Sequence, residues 1–286
     1  MSKLKIAELF YSIQGEGRFM GVPSVFLRTF GCNFKCAGFG MPKGQLSDEA
    51  GVIAEKQEKF GEWKTYNQLP LVSTGCDSYA SWHPSFKDLS PMMESDGIVD
   101  RIMEILPYKT WVDEHLVITG GEPLLGWQRA YPDLLDNSLM KTLRDITFET
   151  NGTQKLSSDF KEYLTEWALR DHNFKQVTFS VSAKLSSSGE LASEAIKPEI
   201  VNEYQDVGFT YLKFVVATED DAEEALEAAD IYRENGFTGP VYLMPVGGVE
   251  SVYSLNNRRV AELAMKMGLR YSDRLQVPLF KNEWGT

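Results

Sequence analysis

No run of about 18 consecutive apolar residues occurs in this 286-residue sequence, which excludes a membrane-spanning helix. Positive charge is also short, with 29 lysines and arginines against 41 aspartates and glutamates, a formal net charge of -12. A polyanion-binding surface needs clustered cations, so nucleic acid is a poor candidate partner. Cysteine is scarce and odd in number, and three thiols cannot complete a disulfide framework, so each is either a core residue or a working one. The N-terminus, MSKLKIAELFYSIQGEG, lacks the basic, apolar and small-residue regions of a secretory signal, and the cytoplasm is the expected location. Repeats and low-complexity linkers are missing too. At 43% apolar and 24% charged residues the composition is that of a globular protein rather than a disordered chain or a rod.

From about residue 97 short β-rich runs alternate with helical stretches, the pattern of βα units around a mostly parallel sheet. About six strands are read, at 24–30, 116–119, 146–149, 177–182, 211–216 and 241–244. Helices are expected over Gly97–Leu106, over Asp220–Asn235 with its acidic first turn, and over Leu255–Met267. Ala37–Gly75 breaks the rhythm: it has no consistent period, is rich in Gly, Lys and Glu, and reads as a surface excursion from a single domain spanning residues 1–286. Its aromatic and charged mix (Phe39, Phe60, Trp63, Tyr66) suggests a lid or a partner-docking surface. The tail Gln276–Thr286 is apolar and aromatic enough to pack on the body.

Two patterns carry chemistry. Cys32 and Cys36 form a C-x3-C pair directly after the first expected strand, with Cys76 far beyond. Such a pair reads either as two buried cysteines or as thiolate ligands of zinc or an iron-sulfur cluster. For zinc the fourth ligand would come from His83, His115 or His172, and His83 alone is near a cysteine in sequence. The second pattern, Val117-Ile-Thr-Gly-Gly-Glu-Pro123, ends an expected strand where α/β folds place their sites. It is either a tight turn or a place where glycines admit a ligand to the backbone and Glu122 accepts from an ammonium or hydroxyl.

Cysteines after one strand followed by GGEP after the next resemble the radical S-adenosylmethionine superfamily, whose usual pattern is C-x3-C-x2-C. Here 39 residues separate Cys36 from Cys76. The runs Phe10-Tyr-Ser-Ile-Gln-Gly-Glu-Gly17, Gly21-Val-Pro-Ser-Val-Phe-Leu-Arg28 and Gly31-Cys-Asn-Phe-Lys-Cys36 resemble the opening of the 7-carboxy-7-deazaguanine synthase family. Gly75-Cys-Asp-Ser-Tyr-Ala-Ser-Trp82 matches that family's third cysteine, with Ser78 where Thr is usual, so residues 37–75 split the cluster loop. Phe148-Glu-Thr-Asn-Gly152, Ser180-Val-Ser-Ala-Lys184 and Leu212-Lys-Phe-Val-Val216 continue the likeness, with Ser-Ala-Lys for the usual Ser-Pro-Lys.

The resemblance implies an incomplete, open α/β barrel of the radical S-adenosylmethionine type. It further implies a 4Fe-4S cluster on Cys32, Cys36 and Cys76, with one iron left to chelate S-adenosylmethionine, whose cleavage gives a 5′-deoxyadenosyl radical. Gly121 and Glu122 would then support the methionyl moiety, and Ser182, Ala183 and Lys184 the nucleoside end. The implied substrate is 6-carboxy-5,6,7,8-tetrahydropterin, converted to 7-carboxy-7-deazaguanine by hydrogen abstraction, ring contraction and loss of ammonia. Arg28 would pair with its carboxylate through a planar fork, Ile13, Gln14, Gly15 and Glu16 would read the pterin edge, Thr119 would add a hydroxyl, and the C-terminal Thr286 would reach the substrate. Mg2+ would bind through Ser78, with Asp77 a supporting group or a loop cap. An electron donor such as flavodoxin and a homodimer are implied partners. The final product could feed queuosine, archaeosine or deazapurine-modified DNA.

Competing readings are a glycyl-radical activase of the anaerobic ribonucleotide reductase type, a non-catalytic zinc protein using the three cysteines and His83, and a degenerate synthase in which residues 37–75 have displaced Cys76. For Arg28 the competing role is a strand residue paired with a surface carboxylate.

Overall fold

The computed structural model describes residues 2–170 and 175–286; His172 lies outside them. Strands β1 (Lys3–Ile13) and β2 (Pro23–Thr29) form an antiparallel hairpin in which Glu8 stands opposite Arg28. Helix α1 (Glu49–Phe60) and a short edge strand β3 (Met92–Glu94) follow, then helix α2 (Ser95–Ile105) and strand β4 (His115–Gly120). The chain continues through α3 (Tyr131–Leu135), β5 (Asp145–Thr150), α4 (Ser158–Leu169), β6 (Gln176–Val181), α5 (Ala192–Ala195), α6 (Pro198–Gln205) and β7 (Phe209–Val216). It ends with α7 (Glu219–Glu234), β8 (Val241–Pro245), α8 (Glu250–Met267), β9 (Arg270–Tyr271) and α9 (Gln276–Phe280).

Among the described residues one sheet in the order β3-β1-β2-β4-β5-β6-β7-β8-β9 contains all nine strands, parallel from β2 onward and antiparallel at β1 and β3. Its two edges do not pair, so the barrel is open. The six expected strands are β2 and β4 to β8, the parallel set that apolar runs advertise because both faces are covered. One face packs against the helices: Leu27, Ile118, Phe148, Phe179, Phe214 and Leu243 join Ile102 of α2, Phe160 and Trp167 of α4, Tyr204 of α6 and the alanines of α7 in the main core. Ala222, Ala225 and Ala229 let α7 lie close to the sheet, and the helix starts with a capping box between Thr218 and Asp221. The other face carries a patch of Phe10, Phe26 and Val117 and, one pleat away, the polar residues of the site.

Two expectations need correction. The first strand escaped the sequence pattern because a bulge between Ile6 and Glu8 shifts its phase, so that Ile6 and Ala7 are both buried and the alternation is blurred. Residues 37–75 are not a featureless excursion. They form α1, ended by Gly61 in a left-handed conformation, and a satellite core of Ile53, Ala54, Trp63, Tyr66, Leu69 and Val72 packed on Tyr79 and Phe86. The helix hid because only two of its residues are buried and the remaining apolar groups sit in turns. Helix α8 also begins five residues earlier than read, while the tail packs on the body as expected, with Trp284 in the satellite core.

Phe148 touches Tyr131, Phe160 and Phe179 at ring separations of 5.5, 5.9 and 5.6 Å. Phe148→Ala is expected to lower stability by about 3–5 kcal/mol, read as an earlier midpoint in urea denaturation.

Candidate active site

A cavity of about 240 Å³ opens at the C-terminal ends of the parallel strands, lined by strand residues from one side of the pleat and by the loops that follow them. Cys32, Cys36 and Cys76 form one end. Although 39 residues intervene, the chain between Cys36 and Cys76 closes on itself. The Ser47 amide donates to the Ala37 carbonyl at 2.8 Å and the Gly75 amide to the Phe39 carbonyl at 2.7 Å. The third cysteine is therefore brought back to the first two. Cys36 adopts a left-handed conformation (φ 49°), held by Glu190, whose carboxylate accepts from the amides of Lys35 at 2.8 Å and Cys36 at 2.7 Å.

Burial pushes the Cys32 thiol up to about 12 and raises Cys36 and Cys76, while the Lys184 ammonium pulls each back toward the thiolate. Lys184 donates to the Ser182 hydroxyl at 3.0 Å, and its ammonium lies 5.8 Å from the centre of the Phe39 ring. Such thiols stay protonated until a strongly bound iron or zinc competes for the sulfur.

The zinc reading fares poorly. The His83 ring faces Trp82 and Phe86 and receives the Ser85 amide, away from the cavity wall. His115 is buried between Ser24 and Thr147, and burial lowers it to about 3. Among the described residues no three His, Cys, Asp or Glu side chains converge tightly enough for a single ion. The donor set here is three sulfurs with no histidine in the cavity wall, a set that suits an iron-sulfur cluster.

Gly121 also lines this end, and a side chain there would meet the Gly31 carbonyl oxygen at 2.4 Å and Cys32 Cβ at 2.7 Å. The glycine thus admits the cysteine loop as well as any ligand. Glu122 and Ala183 depart from expectation, since both are buried behind the wall. The Glu122 carboxylate accepts from the amides of Leu124 at 3.0 Å and Asn151 at 2.7 Å and from the Thr150 hydroxyl at 2.8 Å. It ties the loop after β4 to that after β5. Burial pushes its acid up to about 7 against those donors.

The rest of the wall is charged. Arg28 donates from Nε to Glu8 at 2.9 Å and from a terminal nitrogen to the Ser78 hydroxyl at 3.3 Å. Its partner is thus a buried carboxylate inside the cavity, not a surface one. Ser78 in turn donates to Asp77 at 3.2 Å. Glu16 is gripped by Lys213, by Arg274 at 3.2 Å and by Gln276 at 2.9 Å, and the two cations hold its acid well below the usual carboxylate range. Arg274 also binds Asp77 and the Gly247 carbonyl. Gln14 donates to Glu149 at 3.1 Å and accepts from the Glu16 amide at 3.0 Å. Ile13, Gly15, Thr119 and Thr286 complete the wall, so the remaining expected residues share this one cavity.

Sequence reasoning gave no role to Glu8, Glu149, Lys213 or Arg274. Three of them left a signal, because a charged residue inside an apolar strand must find a buried partner. Lys213 interrupts Tyr-Leu-Lys-Phe-Val-Val, Glu149 interrupts Ile-Thr-Phe-Glu-Thr, and Glu8 faces Arg28 across the hairpin. Arg274 left none.

No family model matches the sequence. The chain is 31% identical over 303 residues to the 7-carboxy-7-deazaguanine synthase of Halobacterium salinarum, covering 98% of this chain and 91% of that protein. It is 29% identical over 294 residues to the synthase of Rhodopirellula baltica, covering 100% and 90%. Its fold is similar to the crystal structure of QueE from Escherichia coli, with a TM-score of 0.55 and 20% identity over 96% of this chain and 94% of that one. On identity that runs nearly end to end, the chain belongs to the 7-carboxy-7-deazaguanine synthase family.

Proposed function

We propose that the protein is a carbon-nitrogen lyase converting 6-carboxy-5,6,7,8-tetrahydropterin to 7-carboxy-7-deazaguanine. The observation that carries this reading is that three thiols and the Arg28–Glu8 pair share the wall of one cavity. When bound on Cys32, Cys36 and Cys76, a 4Fe-4S cluster with S-adenosylmethionine supplies hydrogen-atom abstraction. The chain itself binds, orients and excludes water. Gly121, Ser182 and Lys184 line the cavity at the cysteine end, where the cosubstrate would lie.

Arg28 presents its fork to the substrate carboxylate, while Glu8 fixes the guanidinium through Nε. Ser78 and Asp77 offer oxygen donors to Mg2+. A divalent cation on Ser78 would displace the Arg28 nitrogen that now donates to it, freeing that nitrogen for the carboxylate. Glu16 reads the pterin less directly than its carboxylate suggests, because Lys213, Arg274 and Gln276 already occupy both oxygens. The backbone of Ile13 to Glu16 is the better reader.

A cavity of this size suits a small molecule, which favours the synthase over a glycyl-radical activase that must admit a polypeptide. The return of Cys76 to the same wall as Cys32 and Cys36 supports an intact site over a degenerate one. Residues 37–75 belong to the same domain in this reading, since their core includes Tyr79 and Phe86. A flavodoxin-type donor and a homodimer rest on the family resemblance alone, and no helix is long and apolar enough to cross a membrane among the described residues.

After anaerobic cluster reconstitution, incubation with S-adenosylmethionine, Mg2+, dithionite and the carboxytetrahydropterin is expected to give 7-carboxy-7-deazaguanine by mass spectrometry. Cys76→Ala should abolish product. Deoxyadenosine without deazaguanine would leave the cluster chemistry standing and reject the substrate. Arg28→Lys keeps the charge but loses the fork. It is expected to lower kcat/KM by about 10- to 100-fold, the equivalent of about 1.5–3 kcal/mol for a charge-assisted hydrogen bond, with the loss mainly in KM.

A further inference from the structure

Residues 37–75 and the C-terminal tail, far apart in sequence, meet at one side chain. The Trp284 indole N–H donates to the Leu69 carbonyl at 3.1 Å, and its ring packs edge-on against Tyr66 at 5.6 Å and Tyr79 at 5.7 Å. Both tyrosines are themselves fixed, Tyr66 by Ala80 and Ser90 and Tyr79 by the Pro70 carbonyl. The next residue, Gly285, lines the same cavity wall as the Glu8 carboxylate that holds Arg28, and its backbone N–H favours the ionised form of that acid.

A second observation is independent of these contacts. Lys281, Asn282 and Gly285 all have positive φ, at 58°, 56° and 86°. For the two non-glycine residues that conformation costs free energy and persists only where neighbours impose it. Asn282 is pinned by the Gly248 carbonyl at 2.8 Å, and the next anchor along the tail is Trp284. Of the segment's aromatics, Trp63 and Tyr66 are buried inside it and Phe39 faces the cavity, while Phe60 is exposed.

We infer that residues 37–75 serve as the anchor plate of the C-terminal tail. Trp284 is the positioning residue that sets Gly285 and Thr286 against the Glu8–Arg28 pair at the substrate end. This role rests on the proposed pterin site. Severing the anchor should misplace the residues beside the substrate.

The test combines steady-state kinetics on the reconstituted enzyme with amide hydrogen exchange on the protein without substrate. Trp284→Ala is expected to raise KM for the carboxytetrahydropterin at least about 10-fold with a smaller change in kcat. Trp284→Phe, which keeps the ring but loses the N–H, should recover most of that loss. Deletion of Trp284–Thr286 should speed exchange across residues 66–72. Unchanged exchange there, or an unchanged KM in Trp284→Ala, overturns the inference. Should the wild-type enzyme make no deazaguanine, the pterin reading fails, and the exchange comparison decides the anchor by itself.

Discussion

Buried opposite charge is the constraint on which the rest of this structure depends. Lys213 and Arg274 have side chains only 4% and 9% exposed, and an isolated charge at that depth carries a penalty of several kcal/mol. Each must find its partner, and the partners lie on different elements. Arg274 follows β9, Glu16 follows β1 and Asp77 adjoins the third cysteine, so one guanidinium joins both ends of the sheet to the cysteine wall. The open barrel lacks the hydrogen-bonded seam that closes a complete one. Here the seam is made by side chains and loops instead. The Arg274 network is reinforced by the Leu275 amide on the Gly15 carbonyl at 3.1 Å and the Gly17 amide on the Ser272 hydroxyl at 2.9 Å.

The same economy explains how a broken cysteine motif can still present three thiols together. Closing a longer flexible loop costs little, about 0.6 kcal/mol for each doubling of length, so distance in sequence is no obstacle if the neck is held. The neck between Phe39 and Gly75 is held by backbone hydrogen bonds, and the joint with the loop after β6 is tight. A side chain on Gly38 would strike the Gly189 nitrogen at 2.7 Å. The segment beyond the neck is free to build its own core, which it does around Tyr79 and Phe86 of the chain that follows Cys76.

Much of this was legible in the residues. The parallel strands announced themselves because strands covered on both faces are written as apolar runs, and the cysteines, Arg28 and the Gln14–Glu16 turn were marked by motif. What stayed hidden has physical causes. The β1 bulge put two consecutive residues, Ile6 and Ala7, in the interior and destroyed the alternation that reveals a strand. Helix α1 shows the core only Ile53 and Ala54, too narrow a stripe for a period. Arg274 lies in a short polar stretch after the last strand, and its importance comes wholly from the tertiary meeting of Glu16 and Asp77, which no local pattern encodes.

The Gly-Gly-Glu run shows how small residues can shape a site through backbone packing as well as through the room they leave for a ligand. The sequence admits either a tight turn or an opening for a ligand, and in the structure Gly120 faces the Thr29 carbonyl oxygen, which a Cβ would meet at 2.4 Å, while Gly121 faces the Gly31 carbonyl. The small residues let β4 run flush against the backbone that leads into Cys32, and the Glu122 amide then donates to the Gly31 carbonyl at 2.7 Å. The Glu122 carboxylate turns the other way and gathers the loop after β5. Neither group needs to touch a ligand to matter. Because Cys32 Cβ lies 2.7 Å from the place a Gly121 methyl would occupy, any enlargement there must move a thiol. The place of Cys32 thus depends on the absence of a side chain in the loop after β4.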